Sequence, residues 1–134
     1  MTQRSEPVWL DDPLLIAIHE MQLAEHGGLP GLRDAGLLAS ALARPRQLWH
    51  YGQRPPSIAT LAAAYAYGIA RNPPFVDGNK RCALVAMETF LNVNGWELNA
   101  SNVECVHLFM ALAAGDIDEA GFASWLSERL VEAG

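Results

Sequence analysis

Two prolines, Pro73 and Pro74, separate two apolar stripes of helical period, and this break constrains the fold more than any other stretch. Before it, Ile58, Leu61, Ala62, Tyr65 and Ile69 recur at intervals of three and four residues, the repeat of one helix face. After it, Cys82, Val85, Ala86, Thr89, Phe90 and Val93 repeat the same spacing. Proline cannot continue the first helix, so that helix is expected to end at Asn72. The second is expected to stop at Asn94-Gly95. Alanine is dense in the first stripe, which allows close packing. The two helices thus face each other and hold residues 72–81 at one end.

That loop reads Asn-Pro-Pro-Phe-Val-Asp-Gly-Asn-Lys-Arg. Phe75 is its one large aromatic residue and is expected to pin it to the core. Asp77 can hold a divalent cation. Gly78 permits a tight turn and close approach to a ligand. Asn79, Lys80 and Arg81 open the next helix, where backbone N–H groups and the helix dipole favour an anion, typically phosphate. Arg81 can grip phosphate oxygens through two donors. A simple loop capped by Asp77 or Asn79, with two solvated cations, is the plainer alternative. Against it, each cation at a helix N-terminus opposes the dipole by about 0.3–1 kcal/mol, which a bound anion would offset.

The rest of the chain also reads as helices. Asp11 or Asp12 caps the first, with Pro13 at its start, and it ends near His26-Gly27-Gly28. Leu15, Ile18, Met21, Gln22 and Ala24 form its mainly apolar face, and His19 within it is read as a structural histidine. A turn-rich segment, 27–34, leads to Asp34 as an N-cap and a short helix over 35–43, which Pro45 stops. Residues 45–56, with Trp49 and Tyr51, read as a loop. Ser57 or Pro56 opens the next helix. Two more are expected over 102–114 and from Ile117 or Asp118 to Val131. Val103, Val106, Leu108, Phe109 and Leu112 supply the apolar surface of one, and Phe122, Trp125, Leu126 and Leu130 that of the other. His107 reads as a surface or core histidine. No strand pattern is present. The expectation is an all-α bundle of about six helices built on a central helix–loop–helix.

At 134 residues the chain is expected to form one domain, residues 1–134. Hydrophobic residues make up 51%, which argues against disorder. A net charge of −6 argues against general nucleic-acid binding. Cys82 and Cys105 fall within apolar helical patterns and read as buried free thiols in a reducing cytoplasm rather than as a disulfide. Residues 1–7 lack the apolar core of a signal peptide, and no apolar run is long enough to span a bilayer.

Residues 73–81 resemble the signature of the Fic/Doc family, H-x-F-x-(D/E)-(G/A)-N-(K/G)-R, with Phe75, Asp77, Gly78, Asn79, Lys80 and Arg81 in register. The Asn-Lys-Arg form is similar to the Doc, or death-on-curing, toxin branch. The run Gly27-Gly28-x-x-Gly31-x-Arg33-Asp34-x-Gly36-Leu37-Leu38 extends the likeness to the N-terminal half, although Ala39 stands where many relatives are acidic. The resemblance implies an all-α fold, ATP and Mg²⁺ as cofactors, Asp77 on the metal, and Gly78, Asn79, Lys80 and Arg81 on the phosphates. It implies a flap over the site between residues 45 and 56. It also implies transfer of the γ-phosphate to a hydroxyl of a target protein such as a translation elongation factor, causing growth arrest. A glycine in place of Lys80 would have pointed to AMP transfer instead.

One position departs. The family's catalytic histidine falls at residue 73, where this chain has Pro73. Proline has no titratable group, and loss of a general base costs roughly 10²–10⁴ in rate. The chain is therefore expected to be inactive or nearly so, as a degenerate, binding-only homologue or through an inactivating substitution, unless His19, His26 or His50 serves as base. The family's inhibitory pattern, (S/T)-x-x-x-E-(G/N), is incomplete at both Thr2–Glu6 and Ser124–Glu128, which Pro7 and Arg129 follow. Inhibition is therefore expected from an antitoxin protein in trans. The alternatives are a non-catalytic binding module, and, within the enzyme class, an AMP transferase.

Overall fold

A computed structural model describes residues 5–52 and 54–133. The elements run α1 (Asp12–His26), α2 (Ala35–Tyr51), α3 (Ile58–Arg71), α4 (Asn79–Val93), β1 (Trp96–Leu98), α5 (Asn102–Ala114), α6 (Glu119–Ser127) and β2 (Leu130–Glu132). The fold is the expected helical one, with α3 at its centre. Ten of the residues of α3 are buried, six of them alanine, and the helix touches α2, α4, α5 and α6. Gly68 is needed where α3 crosses α2, because a Cβ there would stand 3.2 Å from the Cα of Ala41. Tyr65, Ile69, Met87 and Phe90 are fully buried between the two central helices. Burial of each such side chain is worth about 1.5–3 kcal/mol. The Tyr65 hydroxyl meets its hydrogen-bonding need by accepting from the Leu10 N–H at 3.1 Å.

Several sequence expectations are corrected. The second helix does not stop at Pro45 but runs to Tyr51. Pro45 cannot donate to the Ala41 carbonyl, a loss typical of interior proline. Its ring is buried, and Leu48 and Trp49 beyond it pack on the core, which offsets that loss. The last helix ends at Ser127, and the chain turns to pair β2 antiparallel with β1, Trp96 opposite Glu132 and Leu98 opposite Leu130. Strands of three residues are too short to show alternation, and their partners are far apart in sequence. Met21, Val103 and Val106 are exposed rather than on inner faces. Cys82 and Cys105 are buried and unpaired as expected, and His107 is exposed. The Thr2–Glu6 match begins in residues outside those described.

The expected flap is also displaced. Helix α2 ends at Tyr51 and α3 begins at Ile58, and the 14 residues of α3 separate that beginning from the 72–81 loop. At 1.5 Å per residue that is about 21 Å. Trp49 instead packs edge-on against Trp9, with ring centroids 6.4 Å apart, and Tyr51 is exposed. No helix among the described residues is long and apolar enough to cross a membrane.

Candidate phosphate-binding site at the start of α4

The loop between α3 and α4 is held from three sides. Phe75 is buried, and its ring stacks on His19 of α1 with centroids 3.8 Å apart and planes 5° from parallel. His19 Nε2 lies 2.7 Å from the Asp77 carbonyl. A carbonyl only accepts, so Nε2 carries the proton and donates. Asn79 then fastens the loop to its own helix. Its Oδ1 accepts the Phe75 N–H and its Nδ2 donates to the Phe75 carbonyl, both at 3.0 Å.

The third side is the 27–34 segment. Leu32 and Phe75 form an antiparallel bridge. The N–H groups of Arg33 and Asp34 both donate to the Pro74 carbonyl, at 2.7 and 3.0 Å, and the Val76 N–H donates to the Gly31 carbonyl at 3.0 Å. The Arg33 guanidinium donates from Nε, at 3.1 Å, and from Nη2 to the Pro73 carbonyl. Leu29 donates its N–H to Asp77 Oδ2 at 3.0 Å. Gly28 makes this approach possible, since a Cβ there would meet the same oxygen at 3.0 Å and Leu23 Cδ2 at 2.9 Å.

Asp77 Oδ1 also accepts the Gly78 N–H, at 2.9 Å. The bonds from Leu29 and then Gly78 hold this carboxyl below the usual carboxylate range. Two of its acceptor sites are thereby used and others remain. Among the described residues no group of three or more His, Cys, Asp or Glu could hold a metal ion. One exposed carboxylate fits Mg²⁺ in its usual role, bound through one or two carboxylates, water and substrate phosphates.

Helix α4 begins differently from the rest. Asp11, Asp34, Ser57, Ser101 and Asp118 cap the other five helices through their side chains. At α4 the cap residue is Gly78, in the left-handed conformation at φ 75°, with no side-chain cap. Lys80 and Arg81 follow in the first turn and are exposed. The helix start opens on a cavity of about 530 Å³ lined by Pro73, Val76, Asp77, Gly78, Asn79, Lys80 and Arg81 from the loop side. Ala70 of α3 and Ala113 of α5 complete it.

A model of the Fic/DOC family matches residues 9–91, more than half of the chain and the whole of this loop. The chain belongs to the Fic/DOC family. Within the family it lies with the Doc-like proteins. It is 45% identical over 74 residues to the Toxin Doc of Mycolicibacterium smegmatis, a match covering 55% of this chain and 57% of the relative. It is 32% identical over 112 residues to the Protein kinase doc of Escherichia phage P1, covering 84% of this chain and 87% of that protein.

The structure brings the sequence-predicted residues Pro73, Asp77, Gly78, Asn79, Lys80 and Arg81 around one cavity, with Phe75 beneath as the anchor. It assigns the Asn79 side chain to the loop. The three histidines named as alternative bases each have contacts of their own. His19 is committed under the loop, His26 lies at the rim 3.4 Å from Arg81 Nη1, and His50 pairs with Glu6. Sequence reasoning missed Arg33 and the loop partner of His19. The Gly-Gly-x-x-Gly-x-Arg-Asp run was the available signal for the former; a lone histidine in a helix carried none for the latter.

Proposed function

We propose that this chain is a Doc-type toxin scaffold that binds ATP with Mg²⁺ and, when a base stands at residue 73, transfers the γ-phosphate to a protein hydroxyl. The names of the two relatives, a toxin and a protein kinase, support this reading. The observation that carries it is the uncapped, cation-bearing start of α4 opening on the cavity beside Asp77. The N–H groups of the first turn, with Lys80 and Arg81, would hold the phosphates. Asp77 would hold Mg²⁺, which neutralises phosphate charge when bound. In the transfer the target hydroxyl oxygen forms the new bond to the γ-phosphorus, the bond to ADP breaks, and a base receives the hydroxyl proton.

Pro73 lines the cavity at the base position and cannot accept that proton. As it stands, the chain would bind nucleotide and transfer slowly or not at all. That same observation favours the second reading, a binding-only homologue. An antitoxin acting in trans, a translation-factor target and a cytoplasmic site of action belong to the first reading.

The test is label transfer in a cytosolic extract with Mg²⁺, comparing the chain with Pro73→His. Label from γ-labelled ATP only, and only with the variant, is the expected result. Label from α-labelled ATP would move the chain to AMP transfer. No label with either protein would leave the binding module.

A further inference from the structure

We propose that Arg33 is a positioning residue for the side chain at residue 73, setting where the base of the transfer reaction stands. The inference rests on the proposed function and adds a residue to it. Backbone groups of residues 74–77 are fixed by backbone groups, an amide and an imidazole: the Pro74 carbonyl by the N–H groups of Arg33 and Asp34, the Phe75 N–H and carbonyl by Asn79, the Val76 N–H by Gly31, and the Asp77 carbonyl by His19. The Pro73 carbonyl alone in this run is gripped by a guanidinium, that of Arg33, through two side-chain donors, Nε and Nη2. Two donors from a planar fork fix direction as well as distance. Turning that carbonyl turns the peptide plane after residue 73, and with it the relation of its side chain to the cavity that it lines.

A purely structural tie between the loops would be redundant here. The Leu32–Phe75 bridge and the bonds of Leu29, Gly31, Arg33 N and Asp34 N already join the two segments without the guanidinium. Among the described residues Arg33 forms no ion pair. Its charge is therefore spent on one carbonyl, at the residue where the family places its base.

The experiment compares Pro73→His alone with Pro73→His combined with Arg33→Ala or Arg33→Lys. Misplacing a reacting group by about 1 Å costs about 10²-fold in rate. The expected result is a kcat lowered about 10- to 100-fold by Arg33→Ala, with the KM for ATP and the thermal midpoint nearly unchanged, and partial recovery in Arg33→Lys. An unchanged kcat would overturn the inference, as would a parallel fall in kcat, ATP affinity and stability. Failure of Pro73→His itself to transfer label would sink the proposed function instead. In that case NMR of the introduced imidazole decides on Arg33. Its signals should shift on adding Mg²⁺-ATP and lose that response in Arg33→Ala; identical spectra with and without the guanidinium would reject the positioning role.

Discussion

The two ends of α4 are fastened by the same device and used differently. At its start, Asn79 clamps the N–H and carbonyl of Phe75 through both atoms of its amide. At its finish, Asn94 does the same to Val8: Oδ1 accepts the N–H at 2.8 Å, and Nδ2 donates to the carbonyl at 3.0 Å and also to Phe90. Beyond Asn94 the structure closes. Trp9 stacks on Phe90, Leu10 is buried, and the β1–β2 ribbon follows. Beyond Asn79 it opens, onto unsatisfied helix N–H groups, two cations and a cavity. The clamp supplies rigidity at both ends; in the proposed function the uncapped start uses that rigidity to receive an anion.

Anchor deletions give the largest separation between the ends. Phe75→Ala should cost about 3–5 kcal/mol and abolish ATP binding, because the loop loses its stack on His19 as well as its core contact. Leu10→Ala, at the closed end, should cost about 2–5 kcal/mol and leave ATP affinity of the folded fraction unchanged. Denaturant melts paired with ATP titration check both, and equal loss of binding would erase the distinction.

The clamps come next. Asn79→Ala should destabilise by about 1–3 kcal/mol, since it strands the part-buried N–H and carbonyl of Phe75, and Asn94→Ala by about 0.5–1.5 kcal/mol, since water can replace the amide at exposed Val8. ATP affinity should fall only for Asn79→Ala. Retained affinity there would show that the start of α4 needs no fastening.

The difference between the ends also explains what the sequence made legible. Period and proline placed α3, the loop and α4, because helix faces and breaks are local properties. The same local logic failed at Pro45, where burial of the ring and of Leu48 and Trp49 carries the helix onward, and at β1 and β2, whose pairing joins distant residues. At the site, charges and glycine were legible as chemistry. The contacts of His19 and Arg33 were not, because each acts on a backbone carbonyl more than 35 residues away and leaves no spacing to read. The family resemblance puts Asn79 on the phosphates without saying through which atoms, and the geometry assigns its amide to the loop.

Removing the cations should reverse the sign on stability. Lys80→Ala and Arg81→Ala relieve the unfavourable meeting of positive charge with the helix N-terminus, so each should stabilise the free protein by about 0.3–1 kcal/mol at low salt. Each should also weaken ATP binding about tenfold or more, an effect that fades as salt rises. No equivalent trade is expected at the closed end. A variant that loses both stability and affinity would mean that these side chains support the fold rather than the ligand.

The smallest effect is acid sensitivity, and it divides two carboxylates that share one physical cause. Hydrogen bonds from Leu29 and Gly78 depress Asp77, and those from the backbone and hydroxyl of Ser101 depress Glu104 in the capping box of α5. A carboxyl depressed in the folded state binds its proton more readily when unfolded. Its contribution is therefore complete above the ordinary carboxylate value and is lost as pH falls through the lower folded value. Asp77→Asn and Glu104→Gln should each lower the thermal midpoint slightly near neutrality, and the deficit should close as pH falls, so that part of the acid-side fall is flattened. Near neutrality only Asp77→Asn should lose Mg²⁺-dependent ATP binding. An acid limb unchanged in Asp77→Asn would mean that the Leu29 and Gly78 bonds do not hold its charge in solution, and the support proposed for the metal would fall with them.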